Sequence, residues 1–265
     1  MKILLISVFA AIPMMRQPAI SETISKPFAV HGNHAFTYGE RLDYRVHYGW
    51  LNAATISMKV DKTSHSVDGR PTYKISGDGE TNSGYDWFFK VRDHYETYID
   101  QDSMKPLKHV RNVNEGGYKD YEVASFDHVR SKVYSSKGLF NVSDGNFQDV
   151  LSAIYYLRNV DFSKAKTGDK LSIKFYLDKN IYESQVQFDG RETITTDLGK
   201  FRTIRLKPQL IVDRVFPDED AMTIWATDDA NLIPLRIQSN LAVGSLKADI
   251  TKIHYYRNPL TSKVK

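Results

Sequence analysis

Apolar and polar residues alternate with a period of two along much of the chain. Every second residue is apolar over 42–48, 54–60 and 171–177, and the residues between them are mostly polar. An extended chain points successive side chains to opposite faces, so this alternation predicts strands with one buried and one solvated face. Strands of that kind are typical of antiparallel sheets.

Short turn-forming sequences separate these strands. They are VDGR (67–70), NEGG (114–117), FDGR (188–191) and DLGK (197–200). Gly, Asp and Asn favour tight turns, and no helix-length pattern recurs between the strands as a parallel α/β sheet requires. The chain is therefore predicted to be mainly β, with a single antiparallel sheet.

One segment departs from this alternation. In GNFQDVLSAIYYLRNVDF (145–162) apolar residues recur at intervals of three and four, which predicts an amphipathic helix over about 147–158. Asn146 is expected to cap it, with Asp149 in the first turn near the positive end of the helix dipole. A lone amphipathic helix must bury its apolar stripe. We therefore expect a curved, barrel-like or spiral sheet with the helix packed on or in it.

The N-terminus has the pattern of a secretory signal peptide. Lys2 precedes an apolar run over residues 3–15, which is too short to span a bilayer, and small residues follow it. An N-terminal membrane anchor is the alternative. The predicted divisions of the chain are a signal peptide (1–20), a flexible leader (21–38), a single antiparallel β domain (39–256) and a frayed tail (257–265).

Composition narrows the compartment and the partners. The 265 residues include 36 Lys and Arg, 32 Asp and Glu, and no cysteine. Without cysteine there is no disulfide, no thiolate metal site and no lipid-anchor cysteine. The small positive charge is spread along the chain, which disfavours a nucleic-acid surface. We expect an exported protein of the bacterial periplasm or outer surface, with no nucleic-acid partner and no transmembrane helix in the mature chain.

Two adjacent carboxylates, Asp228 and Asp229, lie between two apolar runs in TIWATDDANLIPLRI (223–237). Asp and Asn form turns through their own side-chain hydrogen bonds, so a hairpin turn is the preferred interpretation. The alternative is an acid–base or metal-binding pair, which needs a partner and a desolvated cleft. The acidic segment FPDEDAM (216–222) offers oxygen ligands for Ca²⁺, but its spacing matches no EF-hand loop.

Asp149, Ser152, Tyr155 and Arg158 form a polar and aromatic series at helical spacing. Side chains three residues apart lie close together on one edge of a helix. We interpret the series as the solvated border of the helix, with a capping aspartate. The alternatives are a recognition strip and a polar group buried against the sheet.

No sequence motif for catalysis, a metal or a cofactor is present. The histidines show neither H-x-x-x-H nor H-E-x-x-H spacing, and there is no G-x-S-x-G and no glycine-rich phosphate loop. We therefore expect a protein that is not an enzyme, with no catalytic residue, metal ligand or cofactor. Five aromatic residues are assigned to the core rather than to a ligand cavity: Trp50, Trp87, Phe88, Phe89 and Trp225.

Five segments, taken in order, are similar to a known family. They are YGERLDYRVHYGWLNAATISMKV (38–60), DVLSAIYYLRNVDF (149–162), TDLGKFRTIRLKP (196–208), IWATDDANLIPLRI (224–237) and VGSLKADITKIHYY (243–256). Their order over about 40–256 resembles a bacterial exported family known as domain of unknown function number 3108. The resemblance implies one antiparallel β domain, barrel-like or spiral, in the cell envelope. It implies no catalytic residues.

Three functions remain open. The first is a non-enzymatic periplasmic protein in envelope integrity or assembly, whose curved sheet offers surfaces to an envelope protein or a glycan. The second is a carrier of lipid or another apolar ligand on the concave side, which requires that the helix leave room for an acyl chain. The third is a hydrolase acting on envelope polymer, with Asp228, Asp229 or Glu80 as acids. The lack of a convergent catalytic set favours the first.

Overall fold

Sixteen β-strands and one short α-helix make up the part of the chain that the structure describes. The computed structural model describes Val30 and residues 32–264, except 88, 144, 178, 210–221, 242 and 243. The strands are β1 (Arg41–Tyr48), β2 (Leu51–Val60), β3 (His65–Val67), β4 (Arg70–Thr81), β5 (Arg92–Asp100), β6 (Pro106–Glu115), β7 (Tyr118–Asp127), β8 (Lys132–Ser135), β9 (Gly138–Asn141), β10 (Gln148–Asp149), β11 (Lys170–Leu177), β12 (Asn180–Thr196), β13 (Gly199–Pro208), β14 (Met222–Thr227), β15 (Pro234–Asn240) and β16 (Ser245–His254). The α-helix, α1, is Val150–Leu157, and a 3-10 helix covers Ser83–Tyr85. Within these residues no helix is long and apolar enough to cross a bilayer.

All these strands belong to one sheet. Their order is β10-β11-β12-β13-β14-β15-β16-β1-β2-β4-β5-β6-β7-β8-β9, and β3 pairs with β4. Every described pairing is antiparallel except that of β10 with β11. The terminal strands β9 and β10 do not pair with each other among the described residues, so the curved sheet is open rather than closed. The predicted mainly β, single-sheet architecture is confirmed.

The two-residue alternation produces the inner face of the sheet. In β1, Leu42, Tyr44 and Val46 are buried, whereas the residues between them are more exposed. Burying an apolar side chain of this size contributes about 1.5–3 kcal/mol. Gly49 and Trp50 form the two-residue turn that follows β1, and Gly49 has a φ of +57°, as such hairpin turns favour.

The helix α1 begins at Val150 rather than near 147. Gln148 and Asp149 are extended and pair with β11, so strand pairing replaces the first turn of the predicted helix. The N-cap is Asp149 and not Asn146. The local periodicity could not show this, because the strand that competes with the helix lies more than twenty residues further along the chain.

The described part of the predicted flexible leader (21–38) is packed into the fold. Phe36 is fully buried, with its ring centroid 5.1 Å from that of Tyr73 and 4.9 Å from that of Tyr155. The leader prediction is therefore wrong for residues 32–38. Residues 1–29, which include the predicted signal peptide, lie outside the described residues.

The tail that we expected to be frayed is also packed. Ser262 is fully buried, and its carbonyl oxygen accepts a hydrogen bond from Arg202 N–H at 2.8 Å. Val264 N–H donates to the carbonyl oxygen of Lys200, also at 2.8 Å. These backbone bonds extend the pairing of β13, and the polar composition of the tail gave no sign of them.

Candidate binding site on the concave side of the sheet

The N-terminus of α1 is fixed by a buried capping box. Asp149 Oδ1 accepts hydrogen bonds from the N–H groups of Leu151 and Ser152 at 2.9 and 2.8 Å, and Ser152 Oγ accepts from Asp149 N–H at 2.8 Å. Asp149 Oδ2 accepts from the Thr97 hydroxyl on β5 at 2.5 Å. Burial raises the pKa of Asp149, against the opposing effects of His109 and of these hydrogen bonds. The cap therefore ties α1 to β5.

The C-terminal end of α1 is fixed by a buried ion pair. Arg158 donates from Nη1 to Glu40 Oε1 at 2.5 Å and from Nη2 to Glu40 Oε2 at 2.9 Å. It also donates to the carbonyl oxygens of Asn231 at 3.0 Å and Ala35 at 3.2 Å. Burial opposes the charge of Arg158, but the Glu40 carboxylate outweighs burial and raises the pKa of Arg158. One side chain thus joins the leader, α1 and the turn between β14 and β15.

All four residues of the polar series are buried. Asp149, Ser152, Tyr155 and Arg158 are each exposed by 2% or less. The interpretation as a solvated border is therefore wrong, although Asp149 does cap the helix. The four residues are instead buried against the sheet, which was one of the two alternatives. Arg158 lines a cavity between α1 and β13–β15, whereas Asp149, Ser152 and Tyr155 line neither of the two cavities described below.

Asp228 and Asp229 lie in the turn between β14 and β15, as the preferred interpretation expects. Asp229 Oδ1 accepts from the Thr227 hydroxyl at 2.9 Å, and Oδ2 accepts from the Ser262 hydroxyl at 2.6 Å. Asp228 forms an ion pair with Arg191 at 3.4 Å. Asp229 therefore organises the turn and holds the tail.

The acids considered for a hydrolase are not brought together. Glu80 lies opposite Thr55 of β2, toward the end of the sheet where β1 meets β2, and the Asp228–Asp229 turn is at the other end. Over the described residues no group of three or more His, Asp or Glu side chains could hold a metal ion. Residues 216–221 of the acidic segment lie outside the described residues.

Two apolar cavities flank the partly exposed side of α1. The larger, about 60 Å³, lies between α1 and β2, β4 and β5, and the smaller, about 30 Å³, lies between α1 and β13–β15. Ile154 lines both cavities. The larger is further lined by Ile56, Met58, Tyr95 and Leu151, and the smaller by Leu157, Phe162, Leu206, Ile224 and Ile237.

These cavities leave room for a short apolar group. One water molecule needs about 10–15 Å³ of cavity volume measured in this way, so the larger cavity, at about 60 Å³, has room for about four to six water-sized groups. Gly77 helps to create this space, because a Cβ there would already lie 3.6 Å from Leu151 Cδ1. The helix packs against β4, β5, β10 and β11, and a whole acyl chain does not fit into these cavities unless α1 moves.

Two carboxyl groups meet at the edge of the larger cavity. Asp93 lines the cavity, is 4% exposed, and accepts a hydrogen bond at Oδ1 from Asn114 N–H at 2.8 Å. Burial raises the pKa of Asp93, and burial together with the neighbouring Asp93 raises the pKa of Glu115 to about 7. Two carboxyl groups in contact cannot both ionise readily, so this pair retains a proton up to about neutral pH.

A second buried polar cluster bridges the two ends of the open sheet. Tyr176 on β11 and Ser135 on β8 both donate to Glu122 Oε1 on β7, at 2.9 and 2.6 Å. His109 Nε2 lies 3.8 Å from Glu122 Oε2. Burial opposes the charge of Glu122, but His109 and the two hydroxyls outweigh burial and lower the pKa to about 2. Glu122 is therefore an ionised structural acceptor and not a general acid or base poised near neutral pH.

The aromatic residues assigned to the core fall into two groups. Phe89 and Trp225 are partly buried and pack against the core. Trp50 and Trp87 are 88% and 83% exposed, so the core assignment is wrong for them. Both lie in connections between strands, where the period-two pattern gives no information on burial. Phe88 lies outside the described residues.

One family and two solved structures are similar to this chain, and the first of the two structures agrees with the fold. The sequence profile of a family described as "Protein of unknown function (DUF3108)" matches residues 43–251. A β-barrel-like protein of domain of unknown function DUF1849 from Brucella abortus is similar in structure, with a TM-score of 0.56 and 11% identity over 86% of this chain and 100% of that one. A protein from Bacteroides fragilis with a YmcC-like fold gives a TM-score of 0.41 and 12% identity over 85% and 100%. No curated protein matches.

Proposed function

We propose that this chain, which belongs to the DUF3108 family, is an exported, non-enzymatic binding protein of the bacterial cell envelope. It takes a short apolar group, such as the end of an acyl chain, into the cavities beside α1. Its biological role is in envelope integrity or assembly, and its partner is an envelope protein, a glycan or a lipid. The apolar run over residues 3–15 and the absence of cysteine support export.

The pair of apolar cavities on either side of Ile154 carries the proposal. The walls of both cavities are almost entirely apolar, and an apolar group bound there would contribute about 25 cal/mol per Å² of surface removed from water. The buried polar groups support a non-enzymatic role, because the carboxylates of Glu40, Glu122 and Asp149 are all engaged in internal hydrogen bonds.

A carrier of longer lipid chains is the second candidate. The position of Ile154 favours it, because this side chain borders both cavities and its displacement would join them into one groove. The groove would then run along the partly exposed side of α1.

Calorimetric titration with decanoate and tetradecanoate tests both candidates. We expect the wild-type protein to bind decanoate and Ile154→Trp to abolish binding, because the indole fills both cavities. If the protein is a carrier, Ile154→Ala should bind tetradecanoate more tightly than the wild type does. Val129→Trp adds the same indole at a site that is 95% exposed and should leave binding unchanged.

Two outcomes would contradict the proposal. One is that the wild type binds neither chain. The other is that Ile154→Trp, shown by circular dichroism to be folded, binds decanoate as tightly as the wild type.

A further inference from the structure

Two tryptophans project from the same end of the sheet. Trp50 follows Gly49 in the turn between β1 and β2, and Trp87 lies in the connection between β4 and β5. Their side chains are 88% and 83% exposed. Asn82, at the start of the second connection, donates from its side-chain amide to the carbonyl oxygen of Asn52 at 2.7 Å. Because β2 and β4 are paired neighbours, the two connections lie side by side.

The same surface continues to the turn between β6 and β7. Gly116 N–H donates to the carbonyl oxygen of Lys90 at 2.8 Å, which places this turn against the β4–β5 connection. Tyr118, just after the turn, is 47% exposed, and Tyr48 at the end of β1 is 38% exposed. We define the aromatic end as the surface formed by Tyr48, Trp50, Trp87 and Tyr118.

Positive charge borders the aromatic end. Lys90 and Lys119 are exposed, and no ion pair joins either of them to a carboxylate among the described residues. Among the described residues of the three connections and their flanking strands, Asp86 lies 2.7 Å from Arg92, Asp120 lies 2.6 Å from Lys137, and Glu80 lies 3.9 Å from Arg92. Glu115 is in contact with Asp93. Lys90 and Lys119 are therefore two cations of this surface that no described ion pair engages.

We propose that the aromatic end docks on the surface of a phospholipid bilayer that contains anionic lipids. Indole side chains have an apolar body and a polar N–H, and they concentrate at the level of the lipid headgroups. Exposed lysines next to them are attracted to anionic headgroups. The opposite end of the sheet exposes Tyr255 and Tyr256 but, within the described part of the chain, no tryptophan.

The position of the larger cavity fits this orientation. The cavity is lined by β2, β4 and β5, the strands whose connections carry Trp50 and Trp87. Docking would bring the bilayer to the end of the sheet that these strands reach. The surface is nevertheless separate from the cavity, so the docking proposal does not depend on a ligand being bound.

Quenching by brominated phospholipids tests the docking, because the chain has three tryptophans, Trp50, Trp87 and Trp225. With vesicles of dibrominated phosphatidylcholine and phosphatidylglycerol, we expect the wild-type emission to be quenched and shifted to shorter wavelength. Trp225 donates to Glu192 at 2.6 Å on the sheet and serves as the internal reference. The double variant Trp50→Ser, Trp87→Ser should lose the quenching, whereas Trp225→Phe should keep it.

The lysines are tested in the same assay. Lys90→Gln and Lys119→Gln should each weaken partitioning into anionic vesicles about fivefold, since a lysine near such a surface contributes about that factor. Lys62→Gln, at an exposed lysine in the turn after β2, should change nothing.

Two results would overturn the proposal. Unquenched wild-type emission would do so and would leave a protein partner as the explanation for the exposed indoles. Equal quenching of the double tryptophan variant would do so as well. Circular dichroism of the double variant shows whether it is folded, and decanoate titration of the wild type tests the cavity by itself, so failure of docking is distinguishable from failure of the cavity proposal.

Discussion

Buried charged side chains are the distinctive feature of this protein at the scale of single residues. Arg158 and Glu40 satisfy each other in the core, and Glu122 accepts two hydroxyl hydrogen bonds at the junction of the sheet ends. When such a partner is lost, the remaining group is left desolvated and unpaired. The loss therefore costs more than the pair itself contributes.

The substitution Glu40→Gln tests this asymmetry. It leaves the Arg158 charge in the core without its counter-ion, and we expect the free energy of unfolding to fall by about 3–5 kcal/mol in urea denaturation. The double variant Glu40→Leu, Arg158→Met should lose less. Asp43→Asn breaks the pair with Arg41, which is 48% exposed, and should cost less than about 1 kcal/mol. Equal losses for Glu40→Gln and Asp43→Asn would contradict the interpretation.

Glu115 should make stability depend on pH near neutrality. Its pKa rises from an ordinary 4.5 to about 7 on folding. Between these two pH values the folded chain therefore binds more protons than the unfolded chain. Stability should therefore decrease as the pH rises through this range. Melting temperatures measured over this range should fall for the wild type and stay flatter for Glu115→Gln. Glu80→Gln, at a side chain that is 63% exposed, should follow the wild type.

At the scale of the helix and strands, local patterns predicted some elements well and others poorly. The apolar positions of β1 and β2 alternate clearly, and the structure buries most of them as predicted. In β5 the buried residues include Asp93 and Thr97, so the sequence of this strand shows no continuous apolar face. The start of α1 was misplaced because pairing with β11 holds Asp149 extended. Such tertiary contacts leave no trace in a local pattern.

The candidate site was predictable only in part. The sequence placed Asp149, Ser152, Tyr155 and Arg158 on one helix edge, and they do form one buried strip. Nothing local identified Glu40 as the partner of Arg158, because the two are 118 residues apart. A glutamate at the start of an alternating run looks like a solvated residue unless its distant counter-ion is known.

The cap of α1 gives a prediction at this scale. Asp149→Ala removes the acceptor for two helix N–H groups and for the Thr97 hydroxyl, and should lower the free energy of unfolding by about 2 kcal/mol or more. Asp149→Asn should be close to neutral, because asparagine caps as well as aspartate and carries no charge to bury. Chemical denaturation of both variants provides the measurement. A loss for asparagine as large as that for alanine would mean that the charge itself is required.

At the scale of the whole molecule, side chains rather than backbone hydrogen bonds join the two ends of the sheet. Phe126, Val133, Phe147 and Tyr176 form a buried cluster at this junction, beside the hydrogen bond from Tyr176 to Glu122. Elsewhere the described strands are linked by continuous ladders. The junction is therefore expected to open before the rest of the sheet.

The substitution Tyr176→Phe should weaken this junction selectively. It removes a hydrogen bond to a buried carboxylate, which contributes about 1.5–3 kcal/mol. Amide hydrogen exchange should accelerate in β10 and β11, while β1 and β16 keep their wild-type protection. Tyr134→Phe, at a side chain that is 48% exposed, is the matched control. Uniform acceleration over all strands would show that the junction is not a separate unit of unfolding.

The Tyr176–Glu122 junction also bears on how much the interior can hold. A closed β-barrel has a fixed circumference. A ligand larger than its cavities can enter only if the hydrogen bonds between two strands break. Here β9 and β10 do not pair with each other over the described residues, and only a few side chains join the two ends of the sheet. The sheet can therefore widen while every strand keeps its hydrogen-bonded neighbours. The size of the largest ligand that the interior can hold therefore depends on the strength of this junction as well as on the volume of the two cavities.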